Sequence, residues 1–173
     1  MLSAHPNIVG AKFSHGDVSV HAQVALDPAI DHTNFAVFTG LGQHLFPVVQ
    51  VGCAGAIDGL AGFFPASVVR LYELAAAETM GKAEREEARR LQWAVSSAEE
   101  LLVKWGVVGI KEAISRVCGF GDRDGTRLPL KVSSSCCFGV VSLTCEGRAS
   151  GGRCRVEEMG ECYGGNERCG GRG

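Results

Sequence analysis

The strongest constraint on the fold is an alternation of short apolar segments with amphipathic segments over the first 80 residues. The apolar segments lie at residues 8–13, 35–38 and 55–59; they are too short for helices and are bounded by turn-forming residues. The amphipathic segments lie at 18–26, at 43–51 and from Pro65 onward. This order of strand and helix signals predicts parallel βα units, and hence an α/β fold.

Individual residues refine the expected helices. The side chain of Asp17 can accept hydrogen bonds from the first amides of a helix, so the first helix is expected to begin after it. Pro47 is tolerated in the second helix only within the first turn or at a kink. The apolar spacing of the third helix predicts a buried face of Val68, Val69, Leu71, Tyr72 and Ala75.

From residue 81 the sequence predicts helices only. One face of a helix over 82–103 is apolar and consists of Ala88, Leu91, Val95, Ala98 and Leu102. Its other face is rich in Glu and Arg, a pattern typical of a solvated surface, and we assign it no function. Trp105 and Gly106 are expected to end this helix, and Gly119 to end the next one.

Lys12 lies near the end of the first apolar segment, an unfavourable place for an ammonium group. If this segment is a buried strand and the side chain points inward, desolvation favours a neutral, nucleophilic amine, which suggests Schiff-base chemistry. The alternative is that the ammonium reaches solvent while the aliphatic stem packs against the strand. The residue types alone leave both interpretations open.

Residues 7–12, Asn-Ile-Val-Gly-Ala-Lys, followed by Ser-His-Gly-Asp at 14–17, resemble the lysine strand of the dihydrodipicolinate synthase and N-acetylneuraminate lyase family. Two later segments resemble the family in the same order: 38–40 with 51–57, and 109–111 with 127–130. The last of these is most similar to 4-hydroxy-2-oxoglutarate aldolase and related 2-keto-3-deoxy sugar acid aldolases. Phe13 stands where bacterial synthases usually carry an acidic residue, so dihydrodipicolinate synthase is kept as the alternative.

The resemblance implies a partial TIM (β/α)8 barrel that consists of the last three βα units. Strands six to eight and their helices would occupy residues 1–80, a C-terminal helical segment 81–130, and a disordered, non-family tail 131–173. A complete barrel takes about 250 residues, whereas this chain has 173. We therefore interpret the chain as truncated. Because three parallel strands leave two edges and one apolar face open, we expect the isolated chain to be poorly folded and its activity to be impaired.

The resemblance also implies the chemistry of a class I carbon–carbon lyase. Lys12 would form a Schiff base with pyruvate or a longer 2-oxo acid, and the iminium would serve as the electron sink, so no cofactor is expected. Ile57 matches the position whose backbone lines the pyruvate pocket. Ser14 and Gly40 lie at strand ends, where barrel sites are built, and are expected to contact substrate. For Ser14, a loop-capping role is the alternative.

No metal site is predicted for this part of the chain. His15 and His44 are interpreted as surface or packing residues, because no second clustered ligand accompanies either of them in the sequence.

Composition and charge narrow the set of partners. A formal net charge of −2 gives no broad basic surface, so nucleic acid is not expected as a partner. No apolar run reaches the roughly 20 residues that a membrane span requires. No secretory signal is recognised, so the cytosol is the default compartment, with the mitochondrion as an alternative.

The resemblance implies a small 2-oxo acid as ligand and a homo-oligomer in the full-length family. A competing hypothesis is a non-catalytic fragment that associates with a full-length homologue.

The segment 131–173 differs sharply in composition from the rest of the chain. It holds six of the eight cysteines, those at 136, 137, 145, 154, 162 and 169, together with many glycines. A zinc or disulfide module is one interpretation, although the spacing is wide and the segment lacks histidine. A disordered extension is the interpretation we favour. A third is translated intron sequence, because Lys-Val-Ser at 131–133 can be encoded by an exon end and a splice donor.

Overall fold

The computed structural model describes residues 5–122, 126–127 and 130, together with the backbone of 140–146 and 153–159. Three strands, β1 (Gly10–Phe13), β2 (Ala36–Thr39) and β3 (Gly55–Ala56), form a parallel sheet in the order β1-β2-β3. In this register Lys12 lies opposite Phe38, and Phe38 lies opposite Gly55. The parallel α/β arrangement predicted from the sequence is confirmed.

Four helices connect and follow the strands: α1 (Val18–Ala25), α2 (Leu45–Gln50), α3 (Pro65–Ala76) and α4 (Lys82–Cys118). Short 3-10 turns at Gly42–His44 and Leu60–Gly62 lead into α2 and α3. The Asp17 carboxylate accepts the amide hydrogens of Ser19 at 2.8 Å and Val20 at 3.4 Å, so it caps α1 as predicted. Pro47 lies in the first turn of α2, where its missing amide hydrogen costs no helical bond.

Helix α4 is interrupted where the sequence predicts a break. Gly106 has φ +57° and ψ −141°, which lies outside the helical region and divides α4 into two straight parts. The second part ends at Gly119, which adopts the left-handed conformation with φ +72°. Only glycine takes such positive φ values without steric cost. Gly106 therefore interrupts the helix and Gly119 ends it, as expected.

The helices pack on one face of the sheet and enclose two apolar clusters. One lies between α2, α3 and α4 and contains Leu45, Leu60, Phe63, Val68, Leu71, Val95 and Ala98. The other lies between α1, β2 and α2 and contains Ala25, Phe35, Val37, Val48 and Cys53. Alternate residues of a strand face opposite sides of the sheet, so the buried Val37 and Thr39 point to the same side. Both clusters lie on that side.

The buried face of α3 differs in part from the prediction. Val68, Leu71 and Ala75 are buried as expected, but Val69 is 54% exposed and Tyr72 is 39% exposed. Leu74 is buried instead. Residues 68, 71, 74 and 75 lie on one face of the helix. Residues 69 and 72 lie toward the border of that face.

A side chain of α4 completes the junction between the 3-10 turn and α2. Gln92 accepts the amide hydrogen of Phe46 at 3.0 Å through its oxygen. Its amide nitrogen donates to the carbonyl oxygens of Gly42 and Gln43, each at 3.1 Å. Backbone groups that lose their helical hydrogen bonds where the 3-10 turn meets α2 therefore bind the side chain of a residue about 50 positions away.

Two further strands lie within residues 131–173, the segment for which the sequence predicts a disordered tail. β4 (Val140–Glu146) pairs antiparallel with β5 (Arg153–Met159), in a register that places Cys145 opposite Cys154. The β-branched residues Val140, Val141 and Thr144 favour extended structure in β4. The remaining residues of the predicted tail, 131–139, 147–152 and 160–173, lie outside the described residues.

In the part of the chain that the structure describes, every helix is too short or too polar to cross a lipid bilayer.

Candidate active site

The carboxyl ends of the three parallel strands meet at one edge of the sheet. The amide of Gly40, directly after β2, donates to the carbonyl oxygen of Phe13 at 2.7 Å. The amide of Ile57, directly after β3, donates to the carbonyl oxygen of Thr39 at 2.8 Å. These two bonds continue the sheet past the ends of its strands. They place the predicted site residues at the same edge.

The side chains of Lys12 and Ser14 both lie against Gly40 at this edge. A Cβ atom on Gly40 would lie 2.8 Å from Cε of Lys12 and 2.9 Å from Cβ of Ser14, and it would overlap Oγ of Ser14. Such separations are below any normal carbon contact, so the absence of a side chain at position 40 makes room for the other two. The structure therefore brings together three of the four residues singled out in the sequence.

The expected burial of Lys12 is not found. The Lys12 side chain is exposed, and β1 is only half-buried rather than a buried strand. Lys12 shares a face of the sheet with Gly10, while Ala11 and Phe13 point to the opposite face and pack against the apolar cluster of α1 and α2. Because the helices cover only that opposite face, the ammonium group of Lys12 remains in contact with solvent.

Ile57 lies farther from the lysine than Ser14 and Gly40 do. It follows β3, two strands away from Lys12, which corresponds to about 10 Å at the usual spacing of neighbouring strands. Its side chain is 52% exposed, and its amide is held by Thr39. Thr39 is fully buried, and its hydroxyl accepts the amide hydrogen of Leu41 at 3.2 Å, which shapes the turn that carries Gly40.

Two histidines that the sequence suggested to be isolated belong to a cluster. The ring of buried His21 lies 5.2 Å from that of His15 and 6.3 Å from that of His44, measured between centroids. Nδ1 of His21 binds the carbonyl oxygen of Asp17 at 2.8 Å. Burial of His44 is the largest cause that lowers its pKa, and the neighbouring imidazoles of His21 and His15 lower it further. The sequence did not reveal this cluster, because α1 must fold back against the strand ends to form it.

In the described part of the chain, no group of three or more His, Cys, Asp or Glu side chains has the arrangement of a metal site.

An acidic pair near the same edge was not predicted. Glu99 on α4 is 2% exposed, and burial together with the charge of Asp58 raises its pKa to about 7. The apolar stripe of α4 carries a signal for this residue, because Glu99 follows Val95 by four positions and therefore falls on the buried face. The rest of the Glu and Arg run was correctly interpreted as a mostly exposed surface.

The candidate site residues lie at the carboxyl ends of parallel strands. This is the edge at which α/β proteins of this class build their sites. The model of the dihydrodipicolinate synthetase family matches residues 1–135, and the chain belongs to this family. The resemblance proposed from the lysine segment is thus confirmed.

Individual relatives are similar over the same region. A protein of Emericella nidulans named "Probable 4-hydroxy-2-oxoglutarate aldolase, mitochondrial" is 31% identical, over 70% of this chain and 37% of its own length. An L-threo-3-deoxy-hexylosonate aldolase of Hypocrea jecorina is 30% identical, over 75% and 41% respectively. The structure of dihydrodipicolinate synthase from Bacteroides thetaiotaomicron superposes with a TM-score of 0.63 at 24% identity, over 76% of this chain and 44% of that one. The chain thus spans about two fifths of the length of these relatives.

Proposed function

We propose that this chain carries the Schiff-base lysine of an aldolase that cleaves or forms a carbon–carbon bond in pyruvate-derived 2-oxo acids. The observation that supports the proposal is the approach of both Lys12 and Ser14 to Gly40, on the carboxyl edge of a parallel sheet. Relatives named as aldolases of 4-hydroxy-2-oxoglutarate and of L-threo-3-deoxy-hexylosonate favour these substrates. Dihydrodipicolinate synthase, the name of other relatives, is the alternative.

The chemistry assigns each group a role. The neutral ε-amine of Lys12 attacks the ketone carbon of the 2-oxo acid, water leaves, and an iminium forms. The iminium accepts the electron pair of the adjacent carbon–carbon bond as that bond breaks, while the hydroxyl group on the departing carbon loses its proton and that carbon leaves as an aldehyde. The enamine left on the lysine takes up a proton, and water hydrolyses the resulting iminium to release the 2-oxo acid and free the lysine. We assign contacts with the substrate to the hydroxyl of Ser14 and to the backbone at Ile57.

The proposal assigns the chain to the last three βα units of a (β/α)8 barrel. The parallel order β1-β2-β3 and the helices on one face support this assignment. In a complete barrel, the face that carries Lys12 lies inside and is covered by the other strands. A covered lysine loses water and becomes a better nucleophile. The chain alone is therefore expected to react weakly.

Borohydride reduction in the presence of pyruvate, followed by peptide mass spectrometry, tests the proposal. Reduction converts the iminium into a stable secondary amine, and we expect the added mass on the Lys12 peptide. The Lys12→Arg variant keeps the charge and removes the nucleophile, so its adduct should disappear. Lys104→Arg is the matched control, because Lys104 is an exposed lysine on α4 and should leave the adduct unchanged. An adduct spread equally over other lysines would contradict the role of Lys12.

A second candidate is a non-catalytic chain that associates with a full-length homologue. It is favoured by one observation: among the described residues, β1 and β3 each pair only with β2, which leaves two open edges. Co-purification of a tagged chain with a full-length relative, in equal amounts of the two proteins, would support it. A monomeric chain that traps pyruvate on Lys12 would argue against it.

A further inference from the structure

Two carboxyl groups from distant parts of the chain face each other behind the end of β3. Glu99 of α4 is buried, and Asp58, directly after Ile57, is half-buried. Oδ2 of Asp58 and Oε1 of Glu99 lie 2.5 and 2.9 Å from the position that a Cβ atom would take on Gly42, so both oxygens point into one small space. Within the described residues, neither oxygen has a hydrogen-bond partner.

Two ionised carboxylates are unstable in this arrangement. Each is only an acceptor, so neither can satisfy the other, and their like charges repel in a place with little water. One added proton removes both problems, because a protonated carboxyl group donates a short, strong hydrogen bond to a carboxylate. The two unsatisfied oxygens then become a donor and its acceptor.

We propose that Asp58 and Glu99 share one proton, and that this hydrogen bond positions the segment after β3, including Ile57, against α4. Folding of the chain at mildly acidic pH then takes up one proton from solvent. The importance of this position for substrate rests on the proposed function, whereas the shared proton does not.

The surroundings indicate that the proton resides on Glu99. Desolvation, followed by the charge of Asp58, raises the pKa of Glu99 to about 7, although the backbone amides of Gly42 and Leu60 act in the opposite direction. Asp58 has the features of the acceptor, since its other oxygen, Oδ1, accepts the amide hydrogen of Ala61 at 3.0 Å.

The charged groups on neighbouring elements are engaged elsewhere. Arg70 of α3 pairs with Glu87 at 2.8 Å and with Glu73 at 3.5 Å. Glu100 accepts a hydrogen bond from Gln43, and the pKa of His44 responds to the other histidines. On the second part of α4, Arg116 binds Glu112. Among the described residues, no ion pair includes Asp58 or Glu99, so a proton rather than a cation side chain is the available partner.

The pair acts at a point of close packing. A Cβ atom on Gly59 would lie 2.6 Å from both Leu102 and Ile110, so the segment after β3 lies directly against α4. On its other side, the amide of Ile57 is held by Thr39. Ile57 is therefore fixed between the sheet and the acidic pair, and loss of the shared hydrogen bond frees one of its two anchors.

Urea unfolding of the wild type and of Glu99→Gln, from about pH 5 to about pH 8, tests the shared proton. Since the pKa of Glu99 lies near 7 in the folded chain and its ordinary value is 4.5, the folded state holds a proton that the unfolded state releases in this range. The folding equilibrium constant of the wild type, divided by that of Glu99→Gln, should fall about tenfold per pH unit up to pH 7 and then stay constant.

The matched control is Glu86→Gln, an exposed glutamate on the same helix, which should follow the wild type at every pH. A wild type and a Glu99→Gln variant with parallel pH profiles would overturn the proposal. If the variants do not fold, the infrared spectrum of the wild type decides. A protonated carboxyl band should persist at about pH 6, where ordinary Asp and Glu are ionised. Absence of that band would equally overturn the proposal.

The positioning role has a separate readout in pyruvate trapping. Glu99→Gln can still donate an amide hydrogen to Asp58, so it should retain trapping on Lys12, whereas Glu99→Ala should reduce it several-fold. Equal trapping in the two variants would contradict the positioning role. If the wild type traps no pyruvate, the proposed function fails, while the unfolding experiment still reports on the proton.

Discussion

At the scale of single residues, Gly40 is the position at which the candidate site tolerates least change. A side chain there would collide with Ser14 and Lys12. We expect Gly40→Ala to lower the free energy of unfolding by about 1–3 kcal/mol, the usual effect of overpacking, and to abolish pyruvate trapping on Lys12. Chemical unfolding and borohydride trapping measure the two effects.

Two variants make this prediction specific to crowding. Gly16→Ala is the control, because no atom lies within 4 Å of the added methyl group. The double variant Gly40→Ala/Ser14→Gly removes the colliding side chain and should recover most of the lost stability. A Gly40→Ala chain as stable and as reactive as Gly16→Ala would show that the contact is unimportant.

His44 gives a second prediction at this scale, on pH. Burial and the neighbouring imidazoles lower the pKa of His44 below its ordinary 6.5. The unfolded chain therefore binds more protons just below pH 6.5, and stability falls as the pH drops through the folded value. His44→Gln should weaken this acid dependence in thermal unfolding, whereas His5→Gln, at an exposed position, should not. Identical acid dependence in both variants would exclude His44 as its source.

The residues that carry the candidate chemistry could be named from the sequence only where they lie in one local segment. Lys12 and Ser14 share a strand end, and Gly40 occupies the equivalent place on the next strand, so their proximity follows from parallel pairing. Glu99 and Asp58 could not be paired in this way. Their proximity depends on how α4 packs against the segments that follow β2 and β3, which no local pattern encodes.

At the scale of elements, the interruption of α4 at Gly106 directs its second part onto the core. Ile114, beyond the break, packs against Gly62, and Ile110 packs against Gly59. We expect Gly106→Ala to lower the free energy of unfolding by about 1–3 kcal/mol, because an L-residue is strained at this φ and ψ. Urea unfolding measures the loss. Gly16→Ala serves again as control, and equal stability of the two variants would mean that α4 can straighten without consequence.

Boundaries of elements were predictable where one side chain or glycine determines them. The cap at Asp17, the proline in the first turn of α2 and the break at Gly106 all act through their own backbone, so the sequence indicates them directly. The burial of Val69 and Tyr72 was wrongly predicted for a different reason. Apolar residues on the border of a helix face are buried only if a neighbouring element covers them, and here none of the described elements does so sufficiently.

At the scale of the whole molecule, the three-stranded sheet is covered on one face only. The residues of β1 and β2 on the Lys12 face are exposed or half-buried, and the outer edges of β1 and β3 have no partner strand among the described residues. We therefore expect the amides of β1 to exchange with solvent faster than those of α3, whose inner face is buried. Hydrogen exchange followed by mass spectrometry measures this order.

A full-length relative provides the comparison for this prediction. If the open face of the sheet is the cause, the corresponding strand in a complete family member should exchange much more slowly than β1 does here. Long-lived protection across all three strands of the monomeric chain would contradict the expectation that the isolated chain is poorly folded.

The hydrogen bonds of Gln92 have a consequence for synthesis on the ribosome. Gln92 satisfies backbone groups of Gly42, Gln43 and Phe46, yet it is translated well after them. Chains grow from the amino terminus and fold in units as they emerge. The sheet and its first helices therefore leave the ribosome before the side chain that completes the turn after β2. A nascent chain that ends before α4 must keep that turn hydrated, so final closure of the candidate site coincides with the arrival of α4.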